Sequence, residues 1–315
     1  MTRLVRPLFC ALMTAACLWS AGARACTAWT GTETHTVKQD GATLKVRTLG
    51  AGTPVIFVPS IGRGVTDFDG LAAEVASAGY LAVLPDPRGI DGSDGPMRDI
   101  TLSTLAQDVL NVGRAACAGP VAVVGHALGG RIAARAAAMN PAEVKRIVLL
   151  AVSAPGPIAP ALKDALGGSV AQGFKSQDAR LMDLEKAYFA PGNDARPWLT
   201  GWHPFVASSQ NRASSRSDRE DWSMVATPTL VLWGEADVVG TWADAQDMAH
   251  AAGNRMTLVR VPRAGRALLP EQPKAVSAAV IAFLKEAKTD YNALVRNHVS
   301  QTDARKDTTE PPPRS

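Results

Sequence analysis

Residues 123–130, Val123-Val124-Gly125-His126-Ala127-Leu128-Gly129-Gly130, decide how the rest of the chain is read. An apolar run of strand length ends here, and glycines stand two positions either side of Ala127. That is the G-x-S-x-G frame of a sharp strand-to-helix elbow, which lifts a nucleophilic side chain above the end of a sheet. The glycines let the backbone turn tightly and let strand and helix pack closely. Ala127 fills the nucleophile position, and a methyl group cannot attack a carbonyl.

Working outward, strands and helices alternate. Leu44–Leu49 alternates like a two-faced strand, whereas Val55–Val58, Leu81–Leu84 and Ile147–Leu150 are continuous apolar runs suited to strands covered on both sides. Helical spacing appears over 68–79, 101–117 and 128–140, the last stopped by Asn140-Pro141. The rhythm breaks over 154–224, a stretch rich in Pro, Gly and Ser with amphipathic pieces around 176–189. It resumes with Thr229–Trp233, a helix near 241–252, the strand Thr257–Val261 and a helix over 271–286. The pattern predicts an α/β fold with a mostly parallel sheet, helices on both faces and an inserted helical lid. The core is expected over 26–153 and 225–290, the lid over 154–224. A disordered tail is expected over 300–315, where Glu310-Pro311-Pro312-Pro313 sits in polar sequence.

Residues 1–25 read as a signal peptide: Arg3 and Arg6, an apolar run, then Ala23-Arg24-Ala25. Cleavage after Ala25 and a periplasmic or secreted location are expected. Removing Arg3, Arg6 and Arg24 takes the formal charge from +4 to +1, so the basic balance gives no case for nucleic acid as a partner. No other run is long enough for a membrane span. Of four cysteines, Cys10 and Cys17 would leave with the leader. Cys26 and Cys117 remain, as one disulfide in an oxidising compartment or as two separate thiols.

From about residue 40 to 288 the chain resembles the α/β-hydrolase superfamily, AB hydrolase-1 type. The elbow, the strand order and the lid carry the resemblance, with three loops: Val58-Pro59-Ser60-Ile61-Gly62-Arg63-Gly64, Gly234-Glu235-Ala236-Asp237, and Arg263–Pro273. The last is similar to the family's G-H-x-x-x-x-E-x-P ending, with Arg266 in place of histidine. The resemblance implies a catalytic triad at Ala127 (nucleophile position), Asp237 (acid) and Arg266 (base position), and oxyanion-binding amides at Ile61 and Leu128.

A guanidinium stays protonated and cannot serve as a base near neutral pH. With Ala127 beside it, a standard acyl-enzyme route is lost, and a pseudoenzyme is expected. Arg266 is expected to pair with Asp237; the alternative has Arg266 in solvent and Asp237 capping the following helix. Ser60 is a candidate substitute nucleophile or a small turn residue, and Ser153 lies near the same cleft. His126 and His203 are candidate bases or ligand contacts, or structural residues. Six of the chain's 17 aromatic residues fall between Tyr188 and Trp222. Trp198 and Trp202 among them suit a ligand-binding roof or the lid's own core. No metal-ligand spacing and no nucleotide-cofactor motif occurs, so neither metal nor cofactor is expected.

Three functions follow: a binding protein for a small apolar molecule held between lid and sheet; a hydrolase or lyase acting on a small ester or lactone through a nucleophile such as Ser60; or a protein-interaction scaffold.

Overall fold

The computed structural model describes residues 29–117, 119–152, 158–216 and 222–307. The strands are β1 (Thr34–Gln39), β2 (Ala42–Gly50), β3 (Thr53–Val58), β4 (Tyr80–Pro85), β5 (Val121–His126), β6 (Val144–Leu150), β7 (Thr229–Gly234) and β8 (Met256–Val261). They form one sheet in the order β1-β2-β4-β3-β5-β6-β7-β8. β1 and β2 pair antiparallel, as do β2 and β4; every other pairing is parallel. The continuous apolar runs become the central strands because both of their faces are covered, while β2 alternates between buried and half-buried residues nearer the edge.

Helices α1 (Asp69–Ser77), α2 (Leu102–Ala116) and α3 (Leu128–Met139) follow β3, β4 and β5. The lid between β6 and β7 contains α4 (Pro160–Val170), α5 (Gln177–Ala187) and α6 (Pro204–Arg216). After β7 come α7 (Trp242–Ala252), the short α8 (Leu268–Glu271), α9 (Pro273–Leu284) and α10 (Tyr291–Asp307). One apolar cluster joins α2, α3 and α7 to one face of the sheet; another joins α1, α9 and α10 to the opposite face. The lid has a third cluster of its own.

Two features depart from the sequence reading. β1 was not expected: its residues are polar apart from Val37, and it is held by pairing with β2 rather than by an apolar face. α10 continues through Ser300 to Asp307, where a disordered tail was expected, because Val295 and Val299 bury one helical stripe against the core. The expected signal peptide, Cys26 and Ser153 lie outside the described residues, as do residues 308–315. Among the described residues no helix is long and apolar enough to cross a membrane.

Candidate functional site

The elbow has kept its shape without its nucleophile. Ala127 sits between β5 and α3 at φ 49°, ψ −109°, in the left-handed half of backbone space that an L-residue enters only under constraint. Its amide donates to the Leu150 carbonyl at 2.8 Å, which ties the turn to β6. A Cβ at Gly125 would run into the Gly129 carbonyl, and one at Gly129 into the Val58 carbonyl. The strand, the turn and the loop after β3 therefore close together only with glycine at both places.

Above the elbow lies a cavity of about 820 Å³, roofed by the lid. Its floor is Ser60, Ile61, Ala127, Leu128 and Arg266. Among the described residues, neither the Ile61 nor the Leu128 amide has a hydrogen-bond partner, so both remain available as donors. Arg266 Nη1 lies 3.1 Å from Asp237 Oδ2; the Asp237 side chain is fully buried and that of Arg266 is 11% exposed. The other Asp237 oxygen accepts from the amides of Val239 (2.8 Å) and Gly240 (3.3 Å), so this carboxylate both pairs and caps. The remaining N–H groups of Arg266 have no partner among the described residues, and the side chain stands on the cavity wall.

Ser60 is buried on this floor, and its hydroxyl has no hydrogen-bond partner among the described residues. Among the described residues no hydrogen bond joins it to a base. The sequence reading also puts His126, Trp198, Trp202 and His203 at the ligand; in the structure none of the four lies on the cavity wall. His126 is buried, with Nε2 donating to the Arg266 carbonyl at 2.8 Å. Burial pulls its pKa down to about 4, and the nearby Arg266 and Arg63 charges add to this against the hydrogen bond. It is a neutral strut beneath the Arg266 loop. Trp198 and Trp202 belong to the lid's core, packed edge to face on each other and around the Arg63 guanidinium. The Arg63 guanidinium sits 4.8 Å from each ring centroid and donates to Asp67 and to the Thr200 carbonyl. His203 gives its backbone amide to the Gly62 carbonyl.

Several residues of the site were not singled out from sequence. Arg131 lines the cavity and donates to Ser214 of α6. Its signal was its place four residues after Ala127, on the same face of a helix. Lys163 and Asn211 also line the cavity, but nothing local in a lid marks such positions. Glu271, raised in pKa by burial, accepts from the amides of Ala190 and Gly265 and from Asn193 Nδ2, joining the lid to the loop that carries Arg266. Among the described residues no group of three or more His, Cys, Asp or Glu side chains is placed to hold a metal ion.

The model of the α/β hydrolase fold family matches residues 53–273, and the chain belongs to that family. It is 25% identical to the AB hydrolase superfamily protein YisY of Bacillus subtilis over 268 residues, spanning 79% of this chain and 98% of that protein. It is 26% identical over 210 residues to the 2-(acetamidomethylene)succinate hydrolase of Mesorhizobium japonicum, spanning 62% and 74%. Among solved structures, a hydrolase from Pseudomonas aeruginosa superposes with a TM-score of 0.67 at 25% identity, over 80% of this chain and 98% of that one.

Proposed function

We propose that this is a non-catalytic member of the α/β hydrolase fold that binds a small, mostly apolar carboxylic acid between lid and sheet. The carboxylate would accept from the Ile61 and Leu128 amides and from Arg266, in the space a nucleophile and base would otherwise fill. The observation that carries this reading is the floor of the cavity: two residues with unpartnered amides and a part-used guanidinium line it together with the Ala127 methyl group. Such donors favour negative charge, and their attraction strengthens where a bound molecule displaces water. The cavity falls within the range of small-molecule sites. The name of the Mesorhizobium relative, which describes an acid as substrate, supports the same class of ligand. Hydrolysis through Ser60 is disfavoured by the missing base. The leader-like residues 1–25 support export, with Cys26 and Cys117 as a disulfide of the mature chain.

The test is titration calorimetry of the purified protein with decanoate, alongside an assay with short-chain activated esters. Saturable binding that Arg266→Met weakens about tenfold or more, without ester turnover, is the expected result. Ester turnover abolished by Ser60→Ala would overturn the proposal.

A further inference from the structure

The cavity has two unlike long walls. Helix α4 contributes Lys163, Leu166, Gly167 and Val170, and Ala171 and Phe174 just beyond it extend a surface that is apolar apart from Lys163. Helix α6 buries Val206, Ser209, Gln210 and Ala213 and lines the cavity with Pro204, Ala207, Ser208, Asn211 and Ser214. The spacing 204, 207, 208, 211, 214 is one stripe of a helix, and beyond Ala207 that stripe is polar throughout.

The chemistry of the stripe is specific. Ser208 Oγ accepts from Arg212 at 2.7 Å, and Ser214 Oγ accepts from Arg131. Each hydroxyl oxygen accepts one bond, and among the described residues its hydrogen is given to no acceptor, so it can be donated to a ligand oxygen. The Asn211 side chain has no partner among the described residues, and it is exposed to the cavity. The helix is fixed beside the loop that holds Ile61 by His203 N to the Gly62 carbonyl (2.9 Å), just before its first residue, and by Gly62 N to Gln210 Oε1 (2.7 Å) at its middle. Its far end is tied to Arg131 of α3. From Ser208 to Ser214 it runs about 9 Å along the helix axis.

We infer that the cavity takes an oxygenated acid: an elongated carboxylic acid with hydroxyl or carbonyl oxygens along one edge and the rest of its surface largely apolar. The oxygens meet Ser208, Asn211 and Ser214; the apolar surface lies against Leu166, Val170 and Phe174. This rests on the carboxylate reading of the floor and adds a second recognition surface to it. A plain alkyl chain would cover the α6 stripe and strip its donors of water without giving them a partner, which costs affinity.

The experiment compares decanoate with 3-hydroxydecanoate and 10-hydroxydecanoate by titration calorimetry, on the wild-type protein and on Asn211→Leu and Ser208→Ala. Asn211 is exposed, so its replacement leaves the fold intact. The expected result is that at least one hydroxy acid binds about tenfold tighter than decanoate to the wild type. That preference falls to less than about twofold in Asn211→Leu or Ser208→Ala, while decanoate binds either variant at least as well as before. Equal affinity for all three acids, or a preference that survives both substitutions, overturns the inference and leaves the carboxylate site standing. Binding of none of the three overturns both.

Discussion

The Gly62 amide donates to Gln210 Oε1 at 2.7 Å, so the loop that presents the Ile61 donor is held in place by a lid helix and not by the sheet alone. Both groups are buried. Replacing Gln210 with alanine leaves an N–H without a partner, at a cost of about 1–3 kcal/mol. Urea denaturation should show that loss. Decanoate titration should show weaker binding, because the Ile61 amide loses its support.

Asp237 and Arg266 form an enclosed ion pair. Asp237→Asn removes the charge and keeps an oxygen for the Val239 and Gly240 amides, so the cost falls mainly on an uncompensated guanidinium, about 3 kcal/mol. Adding Arg266→Met to that variant should restore most of the stability, measured as a non-additive double-mutant cycle. A carboxylate ligand should bind Asp237→Asn more tightly than wild type, because Arg266 has then lost its ion-pair partner.

Ala127→Ser returns a hydroxyl to the elbow but no base. Ester hydrolysis should stay at the background of the wild type. The pair Ala127→Ser with Arg266→His places an imidazole beside Asp237, and its rate should exceed the single variant by about 10²–10⁴-fold. Steady-state assays with activated esters read both.

His126 is neutral when folded, with its pKa lowered to about 4 by burial, against an ordinary value near 6.5. Between these values the unfolded chain binds the extra proton, so stability falls as the pH drops through this window, by at most about 3 kcal/mol. Asp86 works in the opposite sense. Burial raises its pKa to about 6, so its contribution declines as the pH rises from about 4 to 6. The measurement is therefore a difference: denaturation from pH 7 to 4 for wild type and for His126→Gln, whose slope should lose the His126 component.

The core was legible because its signals are local. Continuous apolar runs mark strands covered on both faces, and the Gly125–Gly129 frame marks the only turn that lets β5, α3 and the loop after β3 meet. The lid was much less so. The Ser-rich sequence of α6 carries little helical signal, yet the burial of Val206, Gln210 and Ala213 makes it a helix. The Arg63 sandwich joins residues more than 130 positions apart, and no spacing rule announces it. Glu271 stood in plain view within the Arg263–Pro273 stretch. Its work as a clamp appears only once Ala190, Asn193 and Gly265 are brought around it.

That clamp determines which part of the roof can act as a door. Glu271 pins the segment after α5, and Gly62 with Arg63 pins α6 and the residues before it. Among the described residues α4 is hydrogen-bonded only within the lid, chiefly through the Ser169 carbonyl to Arg180. If the cavity takes a ligand, α4 is therefore the part of the roof expected to yield to it, with α6 held in place. Amide hydrogen exchange in α4 should outpace that in α6, and an occupant should slow it in α4 first.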